Sequence, residues 1–268
     1  MKSIERSDES GTWRLAHTGM TTPIEDTSPK VITVCACPEL GYWCAEYITK
    51  EMKKNLYTPE GRKLTELVQS ANPISAYNDL PWWQKVFIKN NSSTISVNTL
   101  QREENALRYW KSLVGYQCIW DHKPYLKEKL IQFLKKQGFN TANEYWPWSK
   151  LGNYDYYFDI WSNIHYGFIG VHAGFMEETL TAGASLAQLI QDYKKNKTQY
   201  HPENGAIYNR FDDIPDQISI KIGIELAKEK KPINLMVSDL IIKLEQVPLP
   251  WGKGASKAKR IHECLPRL

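Results

Sequence analysis

The sequence predicts a mainly α fold, α+β with at most a few short strands, closed into a single compact helical domain. Three observations carry that expectation. Apolar residues recur at helical spacing in segment after segment, whereas a β-branched run occurs only at Val31–Cys35. The 268 residues, 42% apolar and 24% charged, are ordinary globular material and enough for one large domain. No internal repeat and no Pro/Gly/Ser linker divides the chain. The expected organisation is a loosely ordered polar segment at 1–30, a domain at 31–245 and a basic tail at 246–268.

Taken in order, the short run Val31–Cys35 reads as a strand. After Pro38, the residues Cys44, Tyr47, Ile48 and Met52 mark one face of a helix. Pro59 suits the first turn of a second helix bearing Leu64, Leu67 and Val68. Residues 71–98 read as irregular, with Pro73, Pro81 and a long polar run. Leu100, Leu107, Trp110 and Val114 predict a third helix ending before Gly115. Pro124 opens a fourth with the stripe Leu126, Leu130, Phe133 and Leu134, stopped at Gly138. Asn140–Lys150 reads as a Trp/Pro loop. Met176, Leu180, Ala184, Ala187 and Ile190 predict a helix to about Lys195, and Ile214, Ile218, Ile222 and Leu226 another. A last apolar segment runs from Ile233 to Leu244.

Charge and cysteine use narrow the function classes. Five basic residues and one acid between Pro248 and Leu268 carry the whole formal net charge of +4 and leave the body neutral. A neutral body argues against strong non-specific phosphate binding there. The five cysteines are odd in number, and the spacing C-x-C-x6-C has no matching Cys or His pair nearby. Free thiols in a reducing compartment are therefore expected rather than a zinc site. No apolar run reaches the ~20 residues of a membrane span. The N-terminus lacks the apolar core of a secretory signal, so the chain is expected to be made in the cytoplasm without a classical signal peptide.

The chemistry concentrates in Asp155–Glu178, where acids, two histidines, an asparagine, many rings and three glycines share one run. Asp155 and Asp159, four apart, would share a helix face, and paired carboxylates supply a proton donor beside a charged partner. His165 has the intrinsic pKa of a general base; the competing reading makes it a hydrogen-bonded core residue. Asp121, His122 and Lys123 stand just before a helix start, where a carboxylate serves as well for a cap as for catalysis. Asp213 and Asp216 have the spacing of a reciprocal N-terminal cap. The glycines match no phosphate-binding fingerprint, and no nucleophile elbow or metalloprotease motif is present.

The ordered pieces WDHKP (120–124), YYFDIWSNIHYGFIGVHAGF (156–175), LTAGASLAQ (180–188) and FDDIPDQISIKIGIEL (211–226) resemble the polymorphic toxin type 44, or bacterial toxin 44, domain, over roughly residues 43–230. The resemblance implies a toxin used between bacteria, delivered out of the cell by a specialised secretion route on a carrier or adaptor, and held in check by a cognate immunity protein. By motif position it implies Asp121, Lys123, Asp159, Asn163, His165, Tyr166 and Asp213 as site residues. No cofactor is expected, although the carboxylates leave room for a divalent cation. Three functions follow as expectations: a hydrolase acting on peptidoglycan through paired carboxylates, a nuclease using His, Lys and Asp, or a non-enzymatic interaction protein. A nuclease calls for a basic rim around Asp159 and His165. The non-enzymatic reading calls for Asp121, Asp159 and His165 to lie apart.

Overall fold

The structure, a computed structural model, describes residues 3–6, 13–16, 35–72, 92–140, 147–184, 214–249, 251 and 258–264. The chain divides into two units, Met1–Cys37 and Pro38–Leu268. In the first, β1 (Ser3–Arg6) and β2 (Trp13–Ala16) pair antiparallel with Ser3 opposite Ala16 and Arg6 opposite Trp13. A hairpin therefore occupies part of the segment expected to be loosely ordered. Val31–Val34, most of the expected strand, lie outside the described residues.

The second unit is predominantly helical, as the apolar spacing requires. Its elements are α1 (Leu40–Asn55), α2 (Pro59–Ala71), α3 (Ser92–Val114), α4 (Lys123–Lys136), β3 (Trp148–Leu151), β4 (Tyr154–Tyr157), α5 (Asp159–Ala173), α6 (helical over residues 177–184), α7 (Ile214–Glu229), a 3-10 turn (Pro232–Asn234), α8 (Val237–Gln246) and β5 (Lys259–Ile261). The strands form one antiparallel sheet in the order β3-β4-β5. Among the described residues, no helix is long and apolar enough to cross a membrane.

Helix α5 is the central element because it is apolar on nearly every side: Ile160, Trp161, Ile164, Phe168 and Ile169 are all buried. It crosses α7 so closely that only glycines fit at the contact. A Cβ on Gly167 would stand 2.2 Å from the Ile220 carbonyl oxygen, and one on Gly223 would stand 2.1 Å from that of Ile164. Gly174, at φ +105°, ends α5 in the left-handed conformation that a glycine adopts without steric cost. Thr58 caps α2 by accepting from the Gly61 N–H, with Pro59 in the first turn as its fixed φ favours.

Several boundaries differ from the sequence reading. α3 begins at Ser92, so the polar run expected to be irregular is helical from there; residues 73–91 lie outside the described residues. Its buried stripe is Ala106, Trp110 and Leu113, while Leu100 is 60% and Leu107 42% exposed. Two apolar stripes lie side by side on this helix. Trp110, common to both, packs on Trp120 with centroids 6.1 Å apart, and the helix buries Ala106 and Leu113 beside it. The expected Trp/Pro loop ends in β3, because alternate side chains there pair across to β4. The helix expected to reach Lys195 is helical to Ala184, beyond which it leaves the described residues.

The basic tail is partly built into the fold. Lys259 pairs with Tyr156 in the sheet, and its buried ammonium donates to the carbonyls of Leu244, Glu245 and Val247 at 3.1, 3.3 and 2.7 Å. The cation satisfies carbonyls left open at the end of α8, where the helix dipole is negative. It also lies 4.4 Å from the centroid of the Tyr154 ring.

Candidate active site

Helices α5 and α7 start near one another, and their first turns carry acids. Asp159 opens α5 directly after β4, and Asp216 lies in the first turn of α7. One turn into α5, Asn163 donates its Nδ2–H to Asp216 Oδ1 at 2.7 Å. Asp159 and Asn163 are four apart and therefore share a helix face. The hydrogen bond thus brings Asp216 to the face that carries Asp159. Both carboxylates are half-exposed and both meet the positive end of a helix dipole.

Tyr157 is the ring on which these charges act together. Burial raises its phenol pKa, Asp159 raises it further, the Lys123 ammonium works against both, and Asp216 adds a smaller upward push. Lys123, Tyr157, Asp159, Asn163 and Asp216 therefore form one electrostatic cluster. Its rim is aromatic: the Tyr157 ring lies 5.2 Å from Trp148 and 4.8 Å from Phe158, and the Arg260 guanidinium lies over Trp148 at 4.2 Å. The arrangement can donate and accept protons at one point beside flat apolar surfaces. The two carboxylates are also the oxygen ligands that a divalent cation takes.

The other expected site residues divide between different places. Asp155 is not a helical neighbour of Asp159. It lies on β4, buried, bound to Arg260 Nε at 3.1 Å and to His262 Nδ1 at 2.7 Å. Asp121 folds back on its own turn, accepting from the backbone N–H groups of Gln117 at 2.9 Å and Lys123 at 3.2 Å, the cap the sequence also allowed. Tyr166 donates its hydroxyl to the Leu180 carbonyl at 3.0 Å and packs on Trp110. Asp213 lies outside the described residues.

His165 is fully buried, so reaching a substrate at the Asp159 surface would require the core to open. Its Nε2 accepts from Asn55 Nδ2 at 2.9 Å, which places the proton on Nδ1; that nitrogen has no hydrogen-bond partner among the described residues. The His165 ring meets that of His122 at 4.4 Å, edge to face, and Tyr47 OH reaches His122 Nδ1 at 3.0 Å. Burial is the main cause that lowers the pKa of both: His122 to about 4, with Lys54 nearby as a second cause, and His165 well below 6.5, with His122 as a second cause. Two neutral imidazoles in the core thus stand where a base was expected, on a network separate from the carboxylates; Asp121, Asp159 and His165 do not converge, which is the arrangement the non-enzymatic reading calls for.

Residues 120–123 connect the two groups. Successive side chains diverge, so His122 enters the core while Lys123 joins Tyr157 and Asp159. Asp216 and Tyr157 were not expected at the site. The capping spacing of Asp213 and Asp216 concealed the first, and a tyrosine among six neighbouring rings gave no local signal for the second.

The family model described as bacterial toxin 44 matches residues 109–229, a narrower span than the sequence motifs suggested. That span holds all of Lys123, Tyr157, Asp159, Asn163 and Asp216. Neither the curated proteins nor the solved structures gave a significant match. Over residues 109–229, which run from the end of α3 through α7, the chain is similar to the bacterial toxin 44 domain.

Proposed function

We propose that this toxin domain is a hydrolase whose reacting groups are Asp159 and Asp216 and whose substrate is the glycan of peptidoglycan. The observation that supports the reading best is the 2.7 Å bond from Asn163 to Asp216, which holds one carboxylate beside the helix face of the other. Glycosidic cleavage needs two such groups. Asp216, oriented as an acceptor by Asn163, takes the base or nucleophile role, and Asp159, which must hold its proton through the like charge of Asp216 against the pull of Lys123 and the helix dipole, gives it to the departing glycosidic oxygen. The anomeric carbon–oxygen bond breaks, and water supplies the new hydroxyl and restores the proton. Tyr157 and Phe158, both half-buried, provide ring faces for sugars. The mixed charge around Asp159, with Lys123 against two acids, also favours a neutral glycan over a polyanion.

The test is digestion of purified peptidoglycan by the wild-type chain, Asp159→Asn and Asp216→Asn, with the soluble products weighed by mass spectrometry. The reading expects glycan fragments from the wild-type chain alone; intact glycan with all three would contradict it. A nuclease remains the second reading, favoured by Lys123 beside the carboxylates, since an ammonium there would stabilise charge developing on a phosphate. An immunity protein, a secretion carrier and export from the producing cell belong to either reading.

A further inference from the structure

On the opposite face of α4, a groove lies between α1 and the chain around Leu235–Val237, with a cavity volume of about 870 Å³. Lys123 joins the Tyr157 cluster and Lys127 stands over Phe158, whereas Tyr125 and Phe133 pack toward Trp43. At 100° per residue, positions 123 and 125 lie on roughly opposite sides of a helix. The groove is therefore separate from the carboxylates. All its lining residues from α1 lie outside residues 109–229.

Opposite the apolar Leu235, Met236 and Val237, rings and lysines line it. Trp43, Tyr47 and Tyr125 form a run of rings, Trp43 on Tyr47 at 5.9 Å and Tyr47 on Tyr125 at 4.9 Å, both stacked. Tyr125 keeps 41% of its surface exposed, and the Tyr47 hydroxyl is anchored on buried His122. Beside the rings stand Lys50, Lys53 and Lys54, with Glu46 as the acid in the lining. Lys54 has Glu51 at 3.5 Å, whereas Lys50 and Lys53 make no ion pair among the described residues.

Lysines near the end of α1 complement its dipole. That accounts for Lys53 and Lys54, in the last turn. It does not account for Lys50 a turn earlier, where like charges three and four apart repel. Ring faces beside unpaired ammonium groups match a ligand that combines a flat base with phosphate.

We propose that this groove binds a nucleoside phosphate, the base stacking on Tyr125 and the phosphate held by Lys50 and Lys53. Calorimetric titration of the full chain with AMP, ribose 5-phosphate and a short oligoadenylate tests it. AMP is expected to bind, with ribose 5-phosphate about tenfold weaker because it lacks the stacking ring. Tyr125→Ala and the double change Lys50→Glu/Lys53→Glu each weaken AMP binding about tenfold or more. Their thermal unfolding stays near that of the wild-type chain, because none of these residues is buried. Oligoadenylate much tighter than AMP identifies the ligand as a strand, and equal affinity identifies a free nucleotide. Binding of neither, ribose 5-phosphate equal to AMP, or variants that bind AMP like the wild-type chain overturn the proposal.

Discussion

At the scale of single residues, two of the expected acids, Asp155 and Asp121, are engaged away from Asp159 and Asp216. Asp155 is bound by Arg260 and His262, and Asp121 closes its own turn. Asn163→Ala removes the bond that orients Asp216, and the account predicts a fall in kcat with little change in KM. Either Asp→Asn change is predicted to cost a hundredfold or more, in keeping with general acid–base contributions of roughly 10²–10⁴-fold.

The histidine pair makes a prediction about pH. Both folded values lie below the unfolded value of about 6.5, so the unfolded chain binds more protons as pH falls. Stability contributed by the neutral pair is present above pH 6.5 and is lost as pH falls toward the folded value, about 4 for His122. Each unit between the two values is worth about 1.4 kcal/mol. Urea unfolding from pH 7 to pH 4 should show that decline, and His122→Gln should flatten it.

At the scale of elements, legibility followed the strength of the local pattern. α4 was read closely because Pro124, a clean apolar stripe and Gly138 agree, and Leu126, Leu130 and Leu134 are buried as spaced. On α3 the expected face is right at Trp110, which is buried, and wrong at Leu100 and Leu107, which outweigh Ala106 in any apolar count although the alanine is the buried one. The strands were barely legible, since β3 is four residues among tryptophans and β5 three residues within a basic run. Part of the site was legible as residue types. The meeting of Asn163 with Asp216, 53 positions apart, depends on how α5 crosses α7, which no local pattern encodes.

That crossing is testable through its glycines. Gly167→Ala or Gly223→Ala forces a methyl group against backbone, so each should destabilise the fold by about 1–3 kcal/mol or more in chemical unfolding. Activity would fall with it, because the crossing positions Asp216. Lys259→Met leaves three carbonyls near the end of α8 without their donor, and a loss on the order of 1–3 kcal/mol is expected.

For the whole molecule, the helical unit holds two surfaces on either side of α4, one aromatic and of mixed charge, the other basic and aromatic. The first lies within the toxin-matched residues, and the lysines of the second lie outside them. If both proposals hold, Asp159→Asn should leave AMP affinity unchanged, and Tyr125→Ala should leave glycan cleavage unchanged.

The most direct measurement is toxicity in bacteria, with the wild-type chain and the Asp159→Asn and Asp216→Asn variants each expressed in the cytoplasm and, separately, behind an export signal. The account predicts lysis only on export of the wild-type chain, with both variants harmless at equal abundance. Killing from the cytoplasm with nucleic-acid breakdown, or exported variants as lethal as the wild type, would contradict it.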